Sequence, residues 1–196
     1  MNKLSRNKKI LILITGVCLI VLVYIWQKNE QLNYNIQLIE EGDGQIEYRV
    51  HPWLKKLPQP IKGFSEKLIG KTIIGVYFQG NQEADLTLLE SLSSLEELDL
   101  SRIANVDVDK LKKLKSLKKL YLVGCEISDF SFIKDLKHLE ELGVDRGQLT
   151  NFSSFKGLSQ LKIVWVMIRS ISKQRESLKK EFHKVLPNCE LLFSNY

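Results

Sequence analysis

The side chains best equipped for chemistry are three histidines, three cysteines and a set of doubled carboxylates. His51, His138 and His183 are scattered, and Cys18, Cys125 and Cys189 form no CxxC pair and no Cys/His cluster at metal-ligand spacing. An odd cysteine count, with Cys18 inside an apolar run, argues against a disulfide framework; whether Cys125 and Cys189 meet is left open. Glu96-Glu97 and Glu140-Glu141 look like acid–base pairs, but they recur because the segment around them recurs. There is no Gly-rich phosphate loop, nucleophile elbow or His-Glu-x-x-His. Asn151-Phe-Ser is a glycosylation-type triplet of a kind that often arises by chance. The expectation is therefore no catalytic residue, no metal, no cofactor and no enzymatic activity. What remains is recognition, and the elements that would present it.

Those elements repeat. LEELDL (95–100), LKKLYL (117–122), LEELGV (139–144) and LKIVWV (161–166) start 22 residues apart, and IIGVYF (73–78) fits the frame one period earlier. The first position holds Ile73, Leu95, Leu117, Leu139 and Leu161. The fourth holds Val76, Leu98, Leu120, Leu142 and Val164, and the sixth Phe78, Leu100, Leu122, Val144 and Val166. Further along come three more apolar columns, headed by Leu86, Leu89 and Leu92. Positions four and six alternate with polar neighbours, as in a strand with one buried face. The later columns recur every three residues, which suits a tight 3₁₀-like return. One unit cannot bury its apolar edge alone, so stacked units must share a core.

The stretch CEISDFSFIKDLKHLEEL (125–142) resembles the internalin-type repeat of bacterial leucine-rich-repeat proteins. The resemblance covers about 73–171. It implies an α/β solenoid: a short, right-handed, curved stack with a parallel sheet on its concave face. It implies protein binding as a class without naming a ligand. Asn81 and Cys125 sit at the family's Asn/Cys position, so Cys125 reads as a structural ladder residue rather than a nucleophile. Ile103 and Gly147 depart from that pattern, and Asn105 replaces an apolar residue, which predicts a locally shifted turn in the second unit.

The chain carries a formal charge of +6, but Lys3, Arg6, Lys8 and Lys9 account for four of those charges. The rest, near +2, is too small for a nucleic-acid footprint. Residues 10–27 are apolar (ILILITGVCLIVLVYIWQ), and as a helix would be about 27 Å long, close to the thickness of a bilayer core. A cleaved signal peptide lacks a small-residue site after the run, and a lipoprotein would need its cysteine at the end of the run rather than at Cys18. The favoured reading is a signal anchor, with residues 1–9 a basic cytoplasmic tail. The repeats would then lie in the periplasm or outside the cell. Residues 28–45 read as a polar stalk, 46–72 as an N-terminal cap with a strand near Ile46–Val50, and 172–196 as a C-terminal cap. That last segment combines a helix ending before Pro187 with a strand over Cys189–Phe193. Trp53, Leu54, Leu57 and Phe64 are candidates to cover the first repeat. Lys173, Arg175, Lys179, Lys180 and Lys184 form a basic helix face, read as solvated.

Outward positions three, five and seven of each unit would pave the concave face. Tyr77, Asp99, Tyr121 and Asp145 are the first candidates for contacting a protein partner, with Glu97, Lys119 and Trp165 beside them. Trp165 shares with Ile163 and Met167 a place near the C-terminal closure, which would partly cover all three. The simpler reading of the tyrosines is cross-strand packing. The sequence thus points to a membrane-anchored interaction module with a protein partner. The alternatives are an envelope assembly component, or a non-catalytic inhibitor or immunity-type subunit.

Overall fold

The computed structural model describes residues 27, 30–41, 44–50, 71–78, 85–127, 129–145, 147, 149, 152–168 and 172–194. Two compact units divide the chain, one over 1–37 and one over 38–196. In the first, Gln31 Nε2 donates to Asn35 Oδ1 at 3.0 Å, one helical turn away. The segment expected to be a stalk is helical over residues 30–41 (α1). Leu32, Ile36 and Ile39 recur at helical spacing, a pattern that the polarity of the stretch obscures. Gly44 donates its amide to the Ile39 carbonyl and closes the C-terminal end. Most of the expected membrane span (10–26) and the cap segment 51–70, with Trp53, Leu54, Leu57 and Phe64, lie outside the described residues, as do Gln79, Asn81 and Asn151. Among the described residues no helix is long and apolar enough to cross a membrane.

The second unit is built on one seven-stranded sheet in the order β1 to β7. The strands are β1 (Gln45–Val50), β2 (Lys71–Tyr77), β3 (Glu97–Asp99), β4 (Lys119–Tyr121), β5 (Glu141–Asp145), β6 (Ile163–Met167) and β7 (Glu190–Ser194). From β2 to β7 every pairing is parallel; β1 joins β2 antiparallel, with a bulge at Glu47/Tyr48. The register is that of the sequence repeat: Val76, Leu98, Leu120, Leu142 and Val164 are successive partners, each fully buried. The columns headed by Ile73 and Leu89 are buried too, and so is the sixth column from Leu100 to Val166. A buried Leu of this kind contributes about 2 kcal/mol of hydrophobic free energy, and no single unit could bury its own.

Return segments close each unit on the far side of the core. They are 3₁₀ turns at Leu86–Ser91, Ser131–Asp135 and Phe152–Phe155, and a single α-turn, α2 (Val108–Leu111). Each is followed by the same backbone bond, from Leu92, Leu114, Leu136 and Leu158 to the residue three before it. The second unit departs from expectation. Its turn keeps the geometry of its neighbour: Ile103 donates to Leu100 as Cys125 donates to Leu122. Arg102 takes a left-handed φ of 69°, matching the 78° of Gly124 one repeat on. A side chain in that region costs about 1 kcal/mol, a cost glycine avoids. The difference lies in the return, where α replaces 3₁₀.

The open end is closed by α3 (Ser172–Val185) and β7, as the periodicity and Pro187 predict. Phe182 is fully buried and meets Phe152 and Phe155 edge-on at 5.4 and 6.1 Å between ring centres. Phe130 stacks on Phe155 at 6.2 Å, extending the aromatic seam into the preceding unit.

Candidate functional site

The third, fifth and seventh positions project from the sheet away from the core, because the fourth and sixth project into it. One row across the strands is Tyr77, Asp99, Tyr121, Gly143, Trp165 and Leu192; its neighbour is Gly75, Glu97, Lys119, Glu141, Ile163 and Glu190. The aromatic side chains thus stand on alternate strands, β2, β4 and β6, about 10 Å apart at the usual strand spacing.

Polar contacts lock this row together. The Tyr121 hydroxyl donates to Glu141 Oε1 at 3.0 Å, and Trp165 Nε1 donates to the same oxygen from the other side. The Tyr77 hydroxyl donates to Glu47 Oε2 on β1 at 3.0 Å. Lys119 Nζ lies 3.0 Å from Glu97 Oε2. Burial, then the carboxylate acceptor, pushes the Tyr121 phenol above its ordinary range, and the same two causes raise Tyr77. Both stay neutral donors at any pH the protein would meet.

Two glycines make room for the rings. A Cβ on Gly143 would stand 2.6 Å from Tyr121 Cδ1, and one on Gly75 would stand 2.9 Å from the Tyr77 hydroxyl. Each tyrosine therefore lies over a glycine instead of standing up from the sheet, with its ring half-buried.

The candidates inferred from sequence divide into two groups. Tyr77, Tyr121, Trp165, Glu97 and Lys119 come together as a connected surface. Asp99 and Asp145 share that face but also hold turn amides: Asp99 accepts from the Ser101 amide at 2.8 Å, and Asp145 from the Gly124 amide. Glu47, Gly75, Glu141 and Gly143 belong to the surface and were not among those candidates. The signal for Glu141 was available, since offsets of 20 and 24 in a 22-residue repeat mark diagonal neighbours on adjacent strands.

At the strand entrances, second-position charges alternate. Arg49 grips Glu96 with two bonds of 2.8 and 2.9 Å, Glu96 lies 3.1 Å from Lys118, and Glu140 lies 2.6 Å from Lys162. Glu96 is held at about 2, first by the Arg49 hydrogen bonds and then by Lys118, against its own partial burial. Arg49, Lys118 and His138 also line an open groove there, with Lys115 and the hydroxyls of Thr72, Ser94 and Ser116.

Cys125 occupies its expected ladder place. It is buried, and its Sγ donates to the Leu100 carbonyl of the preceding unit at 3.0 Å. Cys189 is likewise buried, and no disulfide joins the two. Burial pushes both thiols up to about 11. A polar column passed unremarked in the sequence: Asp85, Asp107 and Asp129, 22 residues apart, accept from the amides of Thr87, Asp109 and Ser131, the first two as caps of their return turns and Asp129 one residue before the cap position. Among the described residues no group of three or more His, Cys, Asp and Glu could hold a metal ion.

Fold and face together define a leucine-rich-repeat protein with a solvent-facing strand surface of aromatic and charged side chains. No family model and no curated protein matches the chain. Among solved structures it is similar to internalin C2 (InlC2) of Listeria monocytogenes, at 23% identity and a TM-score of 0.47, over 63% of this chain and 52% of that one. It is also similar to the internalin InlF of the same organism, at 20% identity and a TM-score of 0.41, over 61% and 40%. The chain thus spans about half or less of each. The leucine-rich-repeat reading itself rests on this chain's own columns and strand register.

Proposed function

We propose that this protein is a membrane-anchored interaction module that captures a protein partner on the outer face of its sheet, the concave face of a curved solenoid. The observation that carries the reading is the connected surface of Tyr77, Tyr121 and Trp165, each tied to a carboxylate and spaced on alternate strands. Rings fixed in this way lose little entropy when a partner covers them, which favours their use as anchors. The anchor is the apolar run 10–27, with the repeats on the periplasmic or extracellular side.

Site-specific photo-crosslinking in intact cells tests the face. A probe at Tyr121 should yield a discrete adduct, while one at Lys134, an exposed residue of the return path, should not. Adducts at Lys134 alone, or at neither site in folded protein, would reject the proposal. Alkaline extraction of membranes tests the anchor: the chain should stay with the lipid, and release into the wash would remove that part.

A further inference from the structure

We infer that the partner segment this face receives is cationic, a stretch of protein rich in arginine or lysine. This deepens the reading just given and rests on it. The whole chain is positive, at +6, yet the outer sheet face has the opposite sign. Its described outward positions carry six carboxylates (Glu47, Glu97, Asp99, Glu141, Asp145 and Glu190) against two cations, Lys119 and, two residues beyond Glu47 on β1, Arg49. Arg49, and Lys118 beside the face, stand at the strand entrances and are occupied by Glu96. The described face is thus an acidic field on a basic molecule, and such a field selects and steers a partner of opposite sign.

The rings sharpen the match beyond charge. A guanidinium or ammonium binds over an aromatic face within about 6 Å of the ring centre, and it binds best where a carboxylate shares the site. Tyr121 and Trp165 flank Glu141 and donate to one of its oxygens, so two ring systems and a carboxylate meet across three strands. Glu47 with Tyr77 repeats the pairing of ring and carboxylate at the other end of the row. An acidic or purely apolar partner would leave these carboxylates desolvated without a counter-charge, which disfavours its binding.

The test uses the full chain in zwitterionic micelles and two labelled dodecapeptides, one of alternating Arg and Gly, the other of alternating Glu and Gly, read by anisotropy. The basic peptide should bind, and weaken about tenfold when ionic strength rises from low to above physiological. Glu97→Gln with Glu141→Gln should weaken it about tenfold, because glutamine keeps the hydrogen-bonding shape and removes the charge. Lys119→Ala should tighten it a few-fold, an effect that misfolding would not produce. Glu176→Gln with Glu181→Gln on α3 changes the net charge equally, away from the sheet, and should leave binding within about twofold. Equal weakening by the α3 pair, or tighter binding of the acidic peptide, would overturn the inference. In cells, the segment crosslinked at Tyr121 should be net positive by mass spectrometry. A neutral or acidic segment there would overturn the partner's chemistry and leave the face standing as a binding site. No adduct at Tyr121 would remove both.

Discussion

Tyr121 on β4 lies flat over Gly143 on β5, its Cδ1 occupying the space where any larger residue would place its first side-chain carbon. That overlap, 2.6 Å from an ideal Cβ, makes the glycine a receptor for the ring. Gly143→Ala should force the ring off the sheet and separate its hydroxyl from Glu141. The expected cost is about 1–3 kcal/mol, the usual penalty of overpacking. Thermal unfolding of a double-mutant cycle with Tyr121→Ala is the check. The alanine should cost little once the ring is gone; an unchanged cost in that background would show that the contact is not the cause.

The Arg49–Glu96–Lys118 cluster should leave a mark on stability below neutrality. Glu96 is held at about 2, below its usual 4.5, so its contribution is complete above 4.5 and disappears as pH falls toward 2. Solvent screening at this surface position limits that contribution to about 1 kcal/mol. Denaturant titrations at several pH values would compare the protein with Glu96→Gln. The gap should be present at pH 6 and closed near pH 2; a constant gap would mean that glutamine disturbs packing instead.

Cys125 and Cys189 should resist alkylation. With thiols raised to about 11, about one in a thousand would be ionised at pH 8, and only the thiolate reacts. In a Cys18→Ser background, iodoacetamide should label both sites slowly in native protein and quickly in denaturant. Fast native labelling of Cys125 would show that its bond to the Leu100 carbonyl opens readily.

Closure of the last repeat depends on Phe182. Its removal from the seam with Phe152 and Phe155 leaves a cavity, and Phe182→Ala should cost about 3–5 kcal/mol. Hydrogen exchange should show the loss first in the α3, β6 and β7 amides, with β3 and β4 keeping their protection. Uniform loss along the sheet would mean that the array unfolds as one cooperative block rather than from its end.

The inward half of the molecule was legible in the sequence because burial imposes period. Six apolar columns predicted the strand register and the return segments, and the resemblance to the internalin-type repeat implied the ladder place of Cys125; the structure keeps these, with α in place of 3₁₀ in one return. The outward half carries no such period. Gly75 and Gly143 read as gaps until the rings that fill them are seen, since the hydroxyl partner of each ring stands on a neighbouring strand: Glu47 for Tyr77 and Glu141 for Tyr121. Asp99 and Asp145 looked like contact residues, but their carboxylates also serve turn amides, a local role that short polar side chains take up readily. Helix α1 was hidden for a different reason: its apolar residues are few, and the surrounding Glu, Gln and Asn dominate the composition.

The alternation of charge at the strand entrances bears on how such a chain could lengthen or shorten. Glu96, Lys118, Glu140 and Lys162 repeat in sign only every second unit, so the electrostatic period is twice the 22-residue structural one. Deleting the unit that carries Lys118 would set Glu96 against Glu140, and Glu97 against Glu141 in the next row. Duplicating it would place lysine beside lysine. Gain or loss of two adjacent units would keep the entrance row alternating in sign. A change by single units thus sets like charges side by side on this row, a modest electrostatic penalty at exposed positions that the apolar core does not register.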